Sequence, residues 1–438
     1  MKLNRKIKSD PQYTHEGGKA GRQTPEQELR RAVSTCLLWE DTFYERGSSI
    51  GIRIGELCKK VKPEVVASLA REARTEMKLR HVPLWLGLQL VYNHSHLAKD
   101  VIADVVQRPD EMGELLSIYW MDGRKPLAAQ LKKGLAKAFP KFNAYNLAKW
   151  NRDSEIKLKD VMFLTHPKPR DNEQATVWKQ LIAGTLESPD TWEVALSAGK
   201  DKRTTWERLL KEDKLGDMAL LMNLRNMVQV GVDERLIGDT LIKKAGTSKA
   251  LPFRYVSALR AAPSLAGPLD TAMKASLPEG KTLKGRTAFL VDVSGSMDAT
   301  LSGKSLLSGI DGASALGIIL ANACEHFRLF TFSERVCEVP AIASLLVLNS
   351  ISASQPHHGT HLRAALHTLE SQMKGLDRVI VVTDEQSHDG IHPAWTDKAY
   401  LINVANYQPG LDIHSGWTRI SGWSERVVEW MRANECDL

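Results

Sequence analysis

A change of pattern near residue 285 constrains this chain more than any other feature. Before it, alternation of β-branched residues is nearly absent; after it, short apolar runs ending in glycine and serine alternate with helix-like stretches. Strands need a period of two and helices one of 3.6, so the chain divides into an all-α part followed by an α/β part. At 438 residues it is also too long for a single hydrophobic core.

The first part repeats one set of signals. Thr24 stands as an N-cap, Pro25 at the first helical position and Gln27 where a capping box needs it, and Leu29, Val33 and Leu37 then line one face. Lys62-Pro63-Glu64 opens a helix bearing Val65, Val66, Leu69, Ala70 and Ala73, and His81-Val82-Pro83 opens another with Leu84, Leu86, Leu88 and Leu90. Further helical stretches run over 127–138, through Val161, Phe163 and Leu164, and over 177–183, 192–196 and 218–230. This predicts an array of helix pairs, a curved solenoid of HEAT-like units, although no strict sequence period marks the repeats. Residues 1–23, polar with Gly17, Gly18 and Gly21, are expected to form a mobile basic arm. Proline and glycine at 263–268 and 277–280 place the boundary, giving a helical domain over 24–270, a linker over 271–284 and an α/β domain over 285–438.

In the second part, 287–293, 329–332, 377–384 and 399–404 read as buried strands, and 311–327 and 361–373 as helices. That alternation predicts a parallel, doubly wound sheet with its ligand site at the carboxyl ends of the strands. Three segments converge there. The first strand ends in Asp292-x-Ser294-x-Ser296, the loop 355–360 delivers Thr360, and a later strand ends in Thr383-Asp384. Two carboxylates and three hydroxyls form an all-oxygen shell suited to Mg²⁺. Because the hydroxyls are neutral, a bound cation keeps net positive charge and can take an acidic group from a partner.

Rival readings of this edge are weaker. Gly303-Lys304-Ser305 imitates the end of a phosphate-binding loop, but Asp298 stands where that motif needs its first glycine. Gly-x-Ser-x-Gly is absent, so no serine nucleophile is indicated. His357, His358, His361, His388 and His392 flank the edge, and a zinc site would need several of them to converge. Without a nucleophile, base or phosphate cradle, the chain reads as non-catalytic.

Charge separates the two parts. Residues 1–284 carry 48 basic against 35 acidic side chains, a balance of +13, and residues 285–438 carry 11 against 17, a balance of −6. A polyanion such as nucleic acid is the natural partner of the first part. Lys149, Arg152, Lys157, Lys159, Lys168 and Arg170 form its densest basic cluster outside the arm, beside Trp150 and His166. Cations for phosphates and rings for stacking suit RNA, and equally a solvated face over a core tryptophan. The five cysteines are scattered without CxxC spacing, the basic N-terminus lacks an apolar core, and no stretch is long and apolar enough to span a membrane; a reducing cytoplasm is expected.

The Asp292-x-Ser294-x-Ser296 run with Thr360 and Asp384 resembles the metal-ion-dependent adhesion site of von Willebrand factor A domains. Residues 163–169 (FLTHPKP), 218–227 (MALLMNLRNM) and 252–255 (PFRY) resemble signature segments of the TROVE module. The two in this order are the architecture of the Ro autoantigen family and its bacterial Rsr-like relatives. This resemblance implies a HEAT-like helical ring closed by an α/β doubly wound, Rossmann-like A domain that holds Mg²⁺. It implies binding of small noncoding Y-like RNA on a basic outer surface and of the single-stranded 3′ ends of misfolded RNA. It further implies tethering to an exoribonuclease such as polynucleotide phosphorylase. His166, Lys149 and Arg152 stand where the family places Y-RNA contacts. Asn223, Arg225, Asn226 and Arg254 are either pore-lining groups or hydrogen-bonders in helix packing. The alternative function is a metal-dependent adaptor in which the A domain binds an acidic protein and the helices dock others.

Overall fold

A computed structural model describes residues 14, 23–35, 46–121, 123, 126–151, 154–187, 190–197, 201–248, 250–303, 305–405, 410–412, 416–422 and 427–436. The capping box forms as the sequence predicts. Gln27 N donates to Thr24 Oγ1 at 3.2 Å, Thr24 N donates to Gln27 Oε1 at 3.0 Å, and the helix Pro25–Thr35 follows. The proline starts also hold, in helices Pro63–Thr75 and His81–Tyr92. Helices Ala129–Ala138, Leu158–Thr165, Asn172–Ala183, Trp192–Ser197 and Asp217–Gln229 sit on the predicted stretches. Between them lie helices whose apolar stripes are short, among them Gly47–Lys60, Ala98–Val105, Asp110–Met121, Lys202–Lys211 and Glu234–Ala245. In Gly47–Lys60 only Ile50, Ile54, Leu57 and Cys58 turn inward as the buried apolar side chains.

The helices build two cores rather than one. Residues between Leu29 and Leu181 share the first. The second begins at Trp206, runs through Leu224, Tyr255 and Met273, and continues without a break into one face of the sheet through Phe289, Ile318 and Ile402. The last helix, Ala266–Ser276, occupies the first part of the stretch read as a linker, so only residues 277–282 join helix to strand. The junction is closely packed. Helix Pro252–Ala261 lies on helix Gly309–Ala323, where Arg260 Nη2 meets Asp311 Oδ1 at 2.6 Å, and Asp270 Oδ1 accepts from Leu345 N at 2.8 Å and Ser344 Oγ at 2.9 Å. Helix Gly309–Ala323 is apolar nearly all round because it is sandwiched between that helix and the sheet.

The six strands are β1 Leu283–Asp292, β2 Cys324–Phe332, β3 Val336–Val339, β4 Arg378–Thr383, β5 Lys398–Asn403 and β6 Thr418–Ser421, in the order β3-β2-β1-β4-β5-β6. The sheet is parallel except for β3, which pairs antiparallel with β2 at the edge, so the all-parallel expectation is corrected there. Residues 324–327, read as the end of a helix, begin β2 instead; Glu325 and His326 are both exposed, so this part of the strand shows no period of two. β4 is buried on both faces, covered on the far side by helix Leu362–Gln372.

Candidate cation site and basic face

Strands β1 and β4 are neighbours, but the chain leaves them in opposite directions, β1 towards β2 and β4 towards β5. Their carboxyl ends therefore open the crevice in which doubly wound sheets bind ligands. Asp292 is the last residue of β1 and Asp384 follows the last residue of β4, both buried. Ser294 N donates to Asp292 Oδ1 at 2.9 Å, and Thr383 Oγ1 donates to Oδ2 at 2.6 Å, so both carboxylate oxygens are aimed. Complete burial, and then the neighbouring Asp384, push the Asp292 carboxyl up to about 7. Two buried carboxylates held against their own repulsion are what a cation would relieve.

Three hydroxyl residues stand at the same edge. Ser294 Oγ and Ser296 Oγ lie 3.3 Å apart on the loop after β1. Thr360 is buried, and its hydroxyl makes no hydrogen bond among the described residues. The Thr360 loop is pinned to the end of β2, where Ser333 Oγ donates to Gly359 O at 2.8 Å and accepts from His358 N at 3.0 Å. It is pinned to the β1 loop too, where Gly295 N donates to His358 O at 3.2 Å. All five predicted ligands thus gather at one strand edge, and their hard oxygen chemistry fits Mg²⁺ or Ca²⁺.

Zinc does not fit. Among the described residues no three His, Cys, Asp or Glu side chains cluster to hold a metal. His357 spends both ring nitrogens, Nδ1 on Asp298 Oδ2 at 2.6 Å and Nε2 on Ser352 O at 2.9 Å, while His361 stacks on His388 at 5.2 Å between centroids. Thr300 and Ser308 pair as an isolated antiparallel bridge around the Gly303–Ser305 stretch, of which Lys304 lies outside the described residues.

The basic face is sorted less evenly. His166 caps helix Leu158–Thr165 in the left-handed region at φ +51 and is exposed, and Lys168 and Arg170 follow it exposed on the same connection. None of the three makes an ion pair among the described residues. Lys149 differs from expectation: it is half-buried, and its Nζ lies 3.4 Å from Glu193 Oε1, so its charge is already partnered. Arg152 lies outside the described residues. Trp150 is half-buried beneath Arg108, whose guanidinium stands 3.6 Å from the ring centroid. Asn223 is a packing residue, its Nδ2 bonded to Ala219 O at 2.8 Å; Arg225, Asn226 and Arg254 are exposed.

Sequence reasoning missed the contacts that bring the first helix to the last strands. Arg31, fully buried, meets Glu385 Oε2 at 2.9 Å across 354 residues, and Arg419 Nη2 meets the same oxygen at 2.8 Å. Nothing local signals such a pair; an arginine between the stripe residues Leu29 and Val33 is the only trace.

Comparison with known proteins gives three findings. The TROVE domain model matches residues 174–275. Residues 174–275 thus carry a match to the TROVE domain. The matched segment begins near the end of the first core and covers most of the helices of the second, including the 218–227 and 252–255 signatures. Telomerase protein component 1 from Mus musculus is 36% identical over 89 residues, and that from Rattus norvegicus 33% over 89, each alignment taking 18% of this chain and 3% of the relative. The chain therefore spans only a small part of the length of those relatives. The fold is similar to the crystal structure of the Ro (Rsr) protein of Deinococcus radiodurans, with a TM-score of 0.61 at 15% identity, covering 94% of this chain and 99% of that one.

Proposed function

We propose that this chain is a Ro-type RNA-binding scaffold without catalytic activity. The carrying observation is the TROVE match over 174–275 within a chain whose fold parallels a Ro protein over nearly its full length. The exposed His166, Lys168 and Arg170, which make no ion pair among the described residues, support it, because exposed side chains of this kind are available to phosphates. Small structured noncoding RNA of the Y kind is the ligand expected on this face, with single-stranded 3′ ends of misfolded RNA and an exoribonuclease as further partners. The α/β part is read as a von Willebrand A domain, with Asp292, Ser294, Ser296, Thr360 and Asp384 holding Mg²⁺ directly or through water. There the cation would neutralise the buried carboxylates and offer a coordination position to an acidic group.

The test is RNA affinity at two salt concentrations for the wild type and a His166→Ala/Lys168→Ala/Arg170→Ala variant. Every cation withdrawn from a phosphate lowers the slope of log K against log salt by about 0.7–0.9, so withdrawing two should lower it by about 1.4–1.8. Lys149→Ala should cost less than Lys168→Ala, because Glu193 already competes for Lys149. A triple variant with wild-type affinity and slope would remove this face from the reading. A chain that binds no RNA but takes an acidic peptide only with Mg²⁺ would be the adaptor instead.

A further inference from the structure

The four residues after β4 face two ways. Asp384 faces the cation crevice. Glu385 is fully buried beside it and receives Arg31 of the first helix at 2.9 Å, Arg419 at 2.8 Å and Leu411 N at 3.1 Å on one oxygen. Ser387 O accepts from Thr14 Oγ1 at 3.0 Å, so Thr14 of the N-terminal arm is docked and buried. Ser387 Oγ donates to Thr360 O at 3.1 Å, returning to the cation shell. Glu385 adopts φ +63, a left-handed conformation that a non-glycine residue keeps only where its surroundings enforce it. Gly410 and Gly422 allow the close approach: a Cβ at 410 would collide with Glu385 and Arg31, and one at 422 with Ser34 O.

We propose that the Asp384–Ser387 turn is a clasp through which cation binding and docking of Thr14 and the helix Pro25–Thr35 strengthen each other. The proposal rests on the cation reading given above. Its logic is that of one turn with two clients. Releasing Arg31 leaves a buried carboxylate short of a partner, which the chain relieves by letting Glu385 leave its left-handed conformation, and that swings Asp384 out of the crevice. Conversely, a cation on Asp384 fixes the turn in the form that receives Arg31 and Thr14. A buried ion pair adds little net stability over a well-packed apolar contact yet is costly to break, which suits a switch better than a glue. Because the helical array begins at this clasp and ends at β1, the cation would govern whether its two ends are held together on one sheet.

Coupling of this kind is reciprocal and commonly worth about 5–150-fold in affinity. Hydrogen exchange on the full chain in MgCl₂ and in EDTA should therefore show at least about fivefold slower exchange across Pro25–Thr35 with the cation, and no change in Asp292→Ala. Arg31→Met, or Gly410→Ala from the opposite side, should still bind Mg²⁺ but at least about fivefold more weakly. A wild type that binds Mg²⁺ through Asp292 with unchanged exchange in Pro25–Thr35 overturns the clasp and leaves the cation site standing. A wild type that binds no Mg²⁺ overturns both.

Discussion

Replacing Glu111 with alanine should destabilise the protein by about 3–5 kcal/mol. Glu111 is fully buried in the first turn of helix Asp110–Met121, and its carboxylate takes four hydrogen bonds. Arg74 Nη2 donates to its two oxygens at 2.6 and 2.9 Å, and Gln107 N and Arg108 N donate at 2.9 and 3.0 Å. Removing the carboxylate strands a guanidinium that is only 8% exposed and leaves two backbone donors in its place. For a unit of roughly 150–250 residues that amounts to a fall in Tm of about 6–20 °C, measurable by thermal unfolding. An Arg74→Met/Glu111→Leu double variant should recover the part of the loss that comes from the stranded charge, while Gln107 N and Arg108 N stay without their acceptor. A single variant costing under about 1 kcal/mol would mean that solvent reaches this pair.

That pair illustrates what the sequence discloses and what it hides. Local signals were legible: the Thr24–Gln27 box, the prolines at 63 and 83 and the Gly/Ser loop after β1 all act within four residues of themselves. The gathering of Asp292, Ser294, Ser296, Thr360 and Asp384 was legible although they come from three distant segments, because each sits at a strand end or loop and the βα alternation alone brings those ends together. The TROVE signatures at 218–227 and 252–255 were legible as segments, but not that their helices share a core with the sheet. Leu265, Leu269 and Met273 look like any amphipathic stripe, and the proline and glycine around them suggested a linker. Ion pairs such as Arg31–Glu385 and Lys149–Glu193 were not legible at all. Pairing across tens to hundreds of residues depends on where helices finish in space, and no periodicity carries that information. For the same reason Lys149 looked like a free cation beside Lys168, and only the helix Trp192–Ser197 brings Glu193 to it.

The second large effect is expected at Asp292, with a sign that depends on the cation. In EDTA near pH 8, Asp292→Asn should be at least as stable as the wild type; in Mg²⁺ it should be clearly less so. The inversion follows from burial. The carboxyl is pushed up to about 7 in the folded chain by its burial and by Asp384, well above the 3.8 of an ordinary aspartate. A carboxyl raised on folding binds its proton more tightly in the native state, so the metal-free protein loses stability from this group as pH climbs towards and through 7 and regains it as pH falls towards 4. Asparagine has the same shape, still accepts from Ser294 N and can donate to Thr383 Oγ1, yet carries no charge to desolvate. It should flatten this part of the pH profile and raise stability above pH 7. A divalent cation reverses the balance, because it binds only the native carboxylates and adds RT ln(1 + [L]/Kd), about 2.7 kcal/mol at a hundredfold excess over Kd. Asp292→Asn, stripped of one of two anionic ligands, should gain little of this. Unfolding curves at pH 6 and pH 8, each with EDTA and with MgCl₂, separate the two terms. A variant less stable than the wild type even in EDTA at pH 8 would mean that Asp292 serves folding through its hydrogen bonds alone. One that keeps the full Mg²⁺ response would place the cation elsewhere on the molecule.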